Sequence, residues 1–201
     1  MKDPYIAYTH RFFRKWLPWY DLFAWSIFNV YSAAARRAHA RTLLDICTGT
    51  GEMALRCAKA GARVTAIDIT EPMLAKARDK AGKLPIDFRL MDARRLEFTD
   101  ASFDVAVLSL ALHDMPRRVR LEVLREACRV TRDRIVILDY DFPGPRWLRR
   151  ALIGLVGLFE TAYFKQFATE GLRPLLEEAG LRPIEVARLV PPLFAVYVVK
   201  P

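Results

Sequence analysis

Cysteine is scarce in this 201-residue chain, and its few copies are not arranged for metal or disulfide chemistry. The three cysteines, Cys47, Cys57 and Cys128, are odd in number and lack the paired spacing of structural zinc sites. This pattern predicts reduced thiols in a cytoplasmic setting and predicts no metal site. Cys47 falls in a glycine-rich stretch, where a small residue that fits the turn is a more ordinary interpretation than a catalytic thiol.

Long apolar runs, internal repeats and low-complexity tracts are also lacking. The most apolar run covers residues 151–159, well short of the roughly 20 residues that a membrane-spanning helix needs. Near the N terminus, Arg11, Arg14 and Lys15 interrupt the apolar residues, so no signal peptide is expected. With 53% hydrophobic residues, the composition predicts one folded domain over residues 1–201.

Acidic residues are outnumbered, since 32 lysines and arginines face 23 aspartates and glutamates, for a net charge of +9. Such a surface permits contact with nucleic acid or anionic lipid. The basic residues are scattered along the chain and no RNA-binding module is recognisable, so nucleic acid is not an expected partner. No pattern in the sequence indicates an oligomeric state.

Apolar periodicity predicts alternating strands and helices after an N-terminal helical lid segment, residues 1–40. The predicted strands cover residues 42–46, 63–68, 86–90, 103–110, 134–140, 182–189 and 193–200. The predicted helices cover residues 52–60, 72–81, 116–130, about 146–165 and 169–179. This alternation favours a parallel sheet in the cofactor-binding core, residues 41–145.

Beyond the core, an apolar lid helix is expected within residues 146–168, and a helix with two strands within residues 169–201. Pro191 and Pro192 separate those two strands so closely that the strands must be antiparallel, since a parallel return needs about a dozen residues. An all-parallel dinucleotide-binding fold would not end in this way.

The stretch TLLDICTGTGEMA, residues 42–54, predicts a buried strand, a glycine turn and the start of a helix. Dinucleotide-binding folds share this layout, but they place a pyrophosphate at the turn. The carboxylate of Asp45 would repel that anion and attract a cationic ligand. S-adenosylmethionine carries an ammonium and a sulfonium, so Asp45 favours a methyl donor. An NAD-dependent oxidoreductase remains the alternative, supported by the glycine turn alone.

Three acids stand at the ends of three successive predicted strands: Asp45, Asp68 and Asp92. Asp68 can accept hydrogen bonds from ribose hydroxyls, and Asp92 can receive an adenine amino group. Met73 follows in the next helix, where it packs either on the adenine or in the core. The three acids match the amine, ribose and adenine of S-adenosylmethionine in order along one edge of the sheet.

Three stretches together resemble the class I S-adenosylmethionine-dependent methyltransferases over most of the chain. LLDICTGTGEMA is similar to the first motif of that family, VTAIDITEPML to the second, and MDARRLEFTDASFDVAVLSLALHDMP to the adenine-site strand and strand four. The resemblance implies a doubly wound α/β sheet with strand order 3-2-1-4-5-7-6 and an antiparallel strand 7. It implies S-adenosylmethionine as the cofactor and S-adenosylhomocysteine as the product.

The resemblance also implies a set of cofactor contacts for the methionine, ribose and adenine portions. The implied residues are Asp45, Gly49, Gly51, Asp68, Ile69, Met73, Asp92, Ala93, Ser109 and Tyr20. Ahead of the first motif, WYDLFAWSIFNVYSAAARRA resembles the ubiquinone/menaquinone-biosynthesis C-methyltransferases and their lipid-methylating relatives.

One departure from those quinone enzymes concerns the methyl acceptor. They carry a Phe-Gly-Ile-Arg-Asn-like run after strand four, where this chain has LALHD at residues 110–114. His113 replaces the arginine, which stands against ring C-methylation unless the histidine acts as the base. The alternative is that His113 only lines the pocket.

Methyl transfer requires alignment of the acceptor and, where needed, removal of its proton. The candidates for these roles are His113 and Asp141, with Tyr140 and Tyr20 shaping the pocket. Asp114 is expected instead to cap the helix that follows Pro116.

The two segments outside the core are rich in apolar and aromatic residues with basic neighbours, which leaves two interpretations open. They either form a lid over the cofactor or form a lid for an apolar acceptor that touches the inner face of a membrane. The expected function is methyl transfer to a hydrophobic small molecule or lipid, such as a quinone precursor or a phospholipid amine. The alternatives are a soluble acceptor and a non-catalytic membrane-surface binding protein.

Overall fold

The computed structural model describes residues 3–26, 28–189 and 193–201, with side chains undescribed between residues 18 and 28. The strands are β1 (Thr42–Ile46), β2 (Arg63–Asp68), β3 (Ile86–Leu90), β4 (Phe103–Ser109), β5 (Thr131–Tyr140), β6 (Arg182–Arg188) and β7 (Phe194–Lys200). The helices are α1 (Pro4–Ser26), α2 (Phe28–Arg37), α3 (Glu52–Lys59), α4 (Glu71–Ala81), α5 (Arg117–Val130), α6 (Arg146–Val156), α7 (Phe164–Glu170) and α8 (Leu172–Glu178). A short 3₁₀ helix covers Leu112–Asp114.

The strands form one sheet in the order β3-β2-β1-β4-β5-β7-β6, which confirms the predicted order. The pairs from β3 to β5 are parallel, whereas β7 is antiparallel to both β5 and β6. The antiparallel end is therefore confirmed, although Pro191 and Pro192 themselves lie outside the described residues. A parallel sheet that ends in an antiparallel pair of strands is the architecture that the resemblance to Rossmann-like methyltransferases implies.

The centre of the sheet is apolar on both faces because helices cover both. In β4, residues from Val105 to Leu108 are fully buried, and in β5 the same holds from Ile135 to Leu138. Helices α2 and α5 pack on β5, and α3 and α4 pack on β2. These contacts leave the carboxyl ends of the parallel strands free to carry polar side chains.

Strand β5 begins at Thr131, three residues earlier than the apolar pattern predicts. Charged residues occupy this extension, and each is anchored by a partner. Arg132 bonds to Asp104 at 2.8 Å, and the Arg134 guanidinium donates to the carbonyls of residues 37 and 39. Ion pairing thus allows a polar sequence to continue the ladder.

The single apolar helix predicted from residue 146 to about 165 is wrong, because two helices with a turn between them occupy this segment. Helix α6 ends before Gly157, where a Cβ would lie 2.8 Å from both the Ile153 carbonyl and the Lys165 side chain. The chain folds back at this glycine and resumes as α7. The turn brings Glu160 to the carboxyl end of β5. Among the described residues, none of the helices has both the length and the apolar composition needed to cross a bilayer.

Candidate active site

The turn after β1 is held by carboxylates from two strands. Asp45 accepts hydrogen bonds through Oδ2 from the Thr48 hydroxyl at 2.6 Å and from the Ala54 amide at 3.0 Å. Asp68, at the end of β2, accepts the Gly49 amide at 2.8 Å. The predicted strand, turn and helix therefore exist, and the two acids fix the shape of the turn.

Asp45 is fully buried behind this turn and does not line the cavity next to it. Burial raises its pKa to about 7, and its Oδ1 has no hydrogen-bond partner among the described residues. Gly51 has φ +84°, and a Cβ there would lie 3.0 Å from Ala77 Cβ. Both residues serve the turn and the packing of α3 on α4, so their contact with the methionine portion stays a prediction.

Two adjoining cavities open at the carboxyl ends of β1, β2 and β4, and they share Tyr5, Cys47, Asp68, Ile69 and Met115. The larger has a cavity volume of about 50 Å³ and is open to solvent. It is lined by Tyr5, Thr9, Phe13, Cys47, Gly49, Asp68, Ile69, Thr70, Met73, Leu110, Ala111, Asp114 and Met115. Asp92 and Ala93 line the smaller one. The structure thus brings six predicted cofactor residues together around one hollow.

Asp68 is the best-placed acid for a ribose. Its Oδ1 accepts the Thr70 amide at 2.9 Å and its Oδ2 accepts the Gly49 amide, which leaves further lone pairs on the cavity wall. Burial raises the pKa of Asp68 despite these bonds. Met73 is only 2% exposed and also lines the larger cavity, so it is both core and wall.

Asp92 lines the smaller cavity while it is already paired. Its Oδ2 accepts two donors of the Arg94 guanidinium at 2.7 and 3.0 Å, and Arg94 also donates to Asp3 at 2.6 Å. Arg94 lies over the ring of Tyr5 at 5.8 Å, which ties α1 to this wall. An adenine amino group at Asp92 would therefore share the carboxylate with Arg94.

Ser109 ends β4 but does not line either cavity. The chain turns at Leu110, which has φ +51°, and Leu110 and Ala111 line the larger cavity instead. Tyr20 lies in α1, and its side chain falls outside the described ones. Cys47 lines both cavities, with φ +59°, and burial raises the pKa of its thiol well above the ordinary value. A thiol in that state is not a nucleophile.

A second group of polar side chains meets where β4 and β5 end, around the imidazole of His113. Its Nδ1 lies 2.8 Å from Asp139 Oδ1, and its Nε2 lies 3.4 Å from both Asp114 Oδ2 and Glu160 Oε2. The Tyr140 hydroxyl donates to Glu160 Oε1 at 2.6 Å. The ring of Tyr140 also meets the imidazole edge-on at 4.9 Å. These five residues are called the His113 cluster below.

The ionisable side chains of the His113 cluster shift one another's pKa. Burial alone would lower the pKa of His113, but the carboxylates of Asp114, Asp139 and Glu160 outweigh burial and raise the pKa well above the ordinary value. Burial would raise the pKa of Glu160, yet the charge of His113 and the hydroxyl of Tyr140 outweigh burial and lower it. Burial and Glu160 raise the pKa of Tyr140, so its hydroxyl remains a neutral donor.

Asp114 is a wall residue that sequence reasoning missed. It was expected to cap α5, but no described side chain caps that helix, which begins after Pro116. Asp114 instead lines the larger cavity, and burial raises its pKa to about 7. Its position directly after His113 is the signal in the sequence that could have identified it.

Asp141 lies outside the His113 cluster. Strand β5 ends at Tyr140, and the Asp141 carboxylate pairs with Arg188 at 3.0 Å instead of facing either cavity. Asp139, two residues earlier, occupies the place expected of Asp141. It anchors the amide of Leu112 at 3.0 Å and the amide of Tyr140 at 2.8 Å as well as the imidazole.

Arg120 of α5 holds together the two segments that form the His113 cluster. This fully buried arginine of α5 donates to the Leu112 carbonyl at 2.9 Å and to the Tyr163 carbonyl at 3.0 Å. Its guanidinium also lies over the Phe167 ring at 5.0 Å. Arg120 therefore ties the 3₁₀ helix that carries His113 to the turn that carries Glu160.

Comparisons with known proteins agree with this geometry. The profile of a methyltransferase domain family matches residues 43–134. A 27-O-demethylrifamycin SV methyltransferase of Amycolatopsis mediterranei is 44% identical over 159 residues, 70% of this chain and 54% of that protein. A ubiquinone/menaquinone biosynthesis C-methyltransferase of Methylobacterium nodulans is 34% identical over 60% of this chain and 52% of that protein. The chain thus spans about half the length of the curated relatives it matches.

Solved structures show the same fold at low sequence identity. A Pyrococcus horikoshii protein superposes with a TM-score of 0.69 at 18% identity, over 89% of this chain and 91% of that one. A SAM-dependent methyltransferase of Aquifex aeolicus gives a TM-score of 0.62 at 22% identity, over 81% and 84% of the two chains. These structures show the fold alone, whereas the methyltransferase domain match and the named methyltransferase relatives support a class I S-adenosylmethionine-dependent methyltransferase near the ubiquinone/menaquinone C-methyltransferase group.

Proposed function

We propose that this chain transfers a methyl group from S-adenosylmethionine to a hydrophobic small molecule or lipid with one polar end. The observation that carries the proposal is the mixed lining of the larger cavity. Gly49 and Asp68 line it together with the apolar Phe13 and Leu110 and with Asp114. Such a wall suits an apolar acceptor that presents one hydroxyl, amine or acidic carbon.

The residues present fit the cofactor. Asp68 would accept the ribose hydroxyls, Ala93 and Asp92 would border the adenine, and the Gly49 turn would hold the methionine portion. When bound, S-adenosylmethionine supplies a methyl group on a positively charged sulfur, and the carboxylates of this hollow favour that charge. The chain then has to align the acceptor and exclude water.

On the acceptor side, Asp114 would hold the acceptor's polar group or take its proton. His113 would act through Asp114, because both of its ring nitrogens already face carboxylates. The proposed role of His113 is therefore positioning, which replaces the expectation of a free base. A quinone precursor and a phospholipid amine both have the required chemistry, and the names of the relatives, which include quinone and rifamycin methyltransferases, support an apolar acceptor of this kind.

The outer face of the lid supports delivery of the acceptor from a lipid surface. Trp147 is 70% exposed and Leu158 is 71% exposed, and Leu155 and Phe159 of the same segment are more than 60% exposed. Arg146 and Arg150 are exposed beside it. A face with aromatic and aliphatic side chains flanked by arginines fits an anionic bilayer, where the apolar residues enter and the arginines meet headgroups.

Transfer is tested by incubating the protein with methyl-labelled S-adenosylmethionine and a cell extract, then partitioning the label. Label in the organic fraction that disappears with Asp68→Asn supports the proposal. Label confined to the aqueous fraction would establish a soluble acceptor. Absence of label in every fraction, with vesicle binding intact, would establish a non-catalytic membrane-surface protein. Displacement of bound S-adenosylhomocysteine by micromolar NADH would favour the oxidoreductase alternative.

Delivery is tested by flotation with vesicles that contain anionic phospholipid. The double variant Trp147→Ser, Leu155→Ser should lose most of the vesicle-bound fraction and keep its affinity for S-adenosylhomocysteine. Ile184→Ser is the matched control, since Ile184 is 59% exposed on β6, away from the lid. Equal flotation of the double variant and the control would remove the membrane from the proposal.

A further inference from the structure

We propose that His113, Asp114 and Glu160 form a binding site for a divalent first-row transition cation of the Zn²⁺ class. The three residues offer one imidazole nitrogen and two carboxylate oxygens that all lie within 4.8 Å of one another. They come from the segment after β4 and from the turn between α6 and α7. The cysteine spacing predicted no metal site, and Glu160 is distant in sequence from the other two residues.

The distances suit tetrahedral coordination. Ligands bound to Zn²⁺ at about 2.0–2.1 Å, at the tetrahedral angle, lie about 3.3–3.4 Å from one another. His113 Nε2 is 3.4 Å from Asp114 Oδ2 and 3.4 Å from Glu160 Oε2. These separations exceed a normal hydrogen bond, yet they match the edges of a metal coordination tetrahedron.

The partners behind the three ligands are those that metal sites use to orient their first ligands. Asp139 Oδ1 lies 2.8 Å from His113 Nδ1. A bound ion would replace the proton that the carboxylates favour on Nε2, while the Nδ1 proton donated to Asp139 would keep the Nε2 lone pair directed at the ion. The Tyr140 hydroxyl holds the other oxygen of Glu160 at 2.6 Å. A carboxylate behind the histidine and a hydroxyl behind the glutamate fix both ligands before an ion arrives.

Two observations favour a cation beside Asp114. Asp114 Oδ1 has no hydrogen-bond partner among the described residues, although Asp114 is only 9% exposed. The nearest buried guanidinium, that of Arg120, donates to the carbonyls of Leu112 and Tyr163 instead. Three acids share the single imidazolium of His113, and a divalent ion in place of its Nε2 proton would neutralise more of their charge.

Three protein ligands leave a fourth coordination position, as in catalytic zinc sites. Asp114 lines the larger cavity, so that position faces the space where an acceptor would enter. The further role of the ion, which is to hold an acceptor oxygen beside the methyl donor, rests on the proposed function. Binding of the ion does not.

The test is metal binding by tag-free, chelator-treated full-length protein. We expect one Zn²⁺ per chain with micromolar or tighter affinity by calorimetry, and intense visible absorption with Co²⁺, which is typical of tetrahedral coordination. Glu160→Gln and Asp114→Asn should each weaken Zn²⁺ binding at least tenfold. Glu185→Gln is the matched control, because Glu185 is an exposed carboxylate on β6, paired with Arg37.

Asp139→Asn keeps the test decisive if a ligand variant does not fold. It leaves all three ligands in place and should still weaken Zn²⁺ binding about tenfold through loss of histidine orientation. Lack of Zn²⁺ binding by the wild-type protein, or equal binding by the ligand variants and the control, would overturn the site. Binding of S-adenosylhomocysteine is measured in the same samples: its loss with Zn²⁺ binding intact would overturn the proposed function and leave the metal site standing.

Discussion

The carboxylates on the two sides of the candidate active site have different kinds of partners. On the cofactor side, the carboxylates of Asp45, Asp68 and Asp92 accept hydrogen bonds from amides or from a neighbouring guanidinium. On the acceptor side, Asp114 and Glu160 face an imidazole at 3.4 Å. The first half is a finished framework for one ligand, whereas the second half retains unmet bonding capacity for a partner.

The origin of the residues explains this difference. The cofactor-side acids find their partners within 19 residues or fewer, mostly in the same turn. The His113 cluster joins residues from the ends of β4 and β5 with the turn between α6 and α7, as much as 47 residues away. Local contacts build the first half, and tertiary packing builds the second. The acceptor side should therefore be the easier half to break.

The largest expected effect is the loss of stability when Arg120 no longer ties the 3₁₀ helix to the turn between α6 and α7. Arg120→Met removes charged donors from the Leu112 and Tyr163 carbonyls, each bond being of the kind that contributes about 1.5–3 kcal/mol. We expect the free energy of unfolding to fall by about 4 kcal/mol, measured by urea denaturation. Arg118→Met is the control, since the Arg118 side chain is 90% exposed and should change stability by less than about 1 kcal/mol. Equal losses in both variants would show that the tie carries no special weight.

The next effect concerns the cofactor side. In Asp68→Asn, an amide NH₂ must replace one carboxylate oxygen opposite the Gly49 or Thr70 amide, so one bond is lost and donors face each other. We expect affinity for S-adenosylhomocysteine to fall about 100-fold, or about 2.7 kcal/mol, by calorimetry. Asp87→Asn, an exposed acid of β3 paired with Arg89, is the control. Affinity within threefold of wild type for Asp68→Asn would remove the ribose from this acid.

The contrast between the halves also separates what the sequence predicts from what it does not. The strand order is implied by the resemblance to the class I methyltransferases. Apolar periodicity predicts the strands and most of their boundaries, because buried strands are set by local pattern. The turn at residues 47–51 and Asp68 are predictable for the same reason. The break at Gly157 is not, since the close approach of Lys165 to this glycine is visible only in the fold.

The acceptor side follows tertiary packing in the same way. Asp139 sits inside an apolar run, where a buried acid is costly without partners, and its partners are visible only in the fold. Glu160 looks like an ordinary turn residue until Tyr140 and His113 are brought beside it. The sequence favoured Asp141 because it stands at the apparent end of the strand, yet its carboxylate accepts a hydrogen bond from Arg188 of β6 instead.

A pH experiment sharpens the account of the buried framework. The pKa of Asp45 is raised from its ordinary 3.8 to about 7, so the folded protein keeps a proton that the unfolded chain releases. Stability from this group is fully present below about pH 4 and is lost as pH rises to about 7, by about 1.4 kcal/mol per pH unit. The measurement compares unfolding free energies of wild type and Asp45→Asn from pH 4 to 8. A difference that stays constant with pH would contradict the raised pKa.

The smallest expected effect is on turnover, and it compares the neighbouring residues Tyr140 and Asp141 at the end of β5. Tyr140→Phe removes the donor to Glu160 Oε1, and we expect turnover with the identified acceptor to fall about tenfold, since hydrogen bonds to a charged group contribute about 1.5 kcal/mol or more. Asp141→Asn should leave turnover within about twofold, because it loses a half-exposed pair with Arg188 of the kind that contributes about 0–1 kcal/mol. The two residues are adjacent in sequence, so any general disturbance of the strand end would affect both. A large loss in Asp141→Asn would extend the acceptor side to β6, whereas a loss confined to Tyr140→Phe would show that the site ends where the His113 cluster ends.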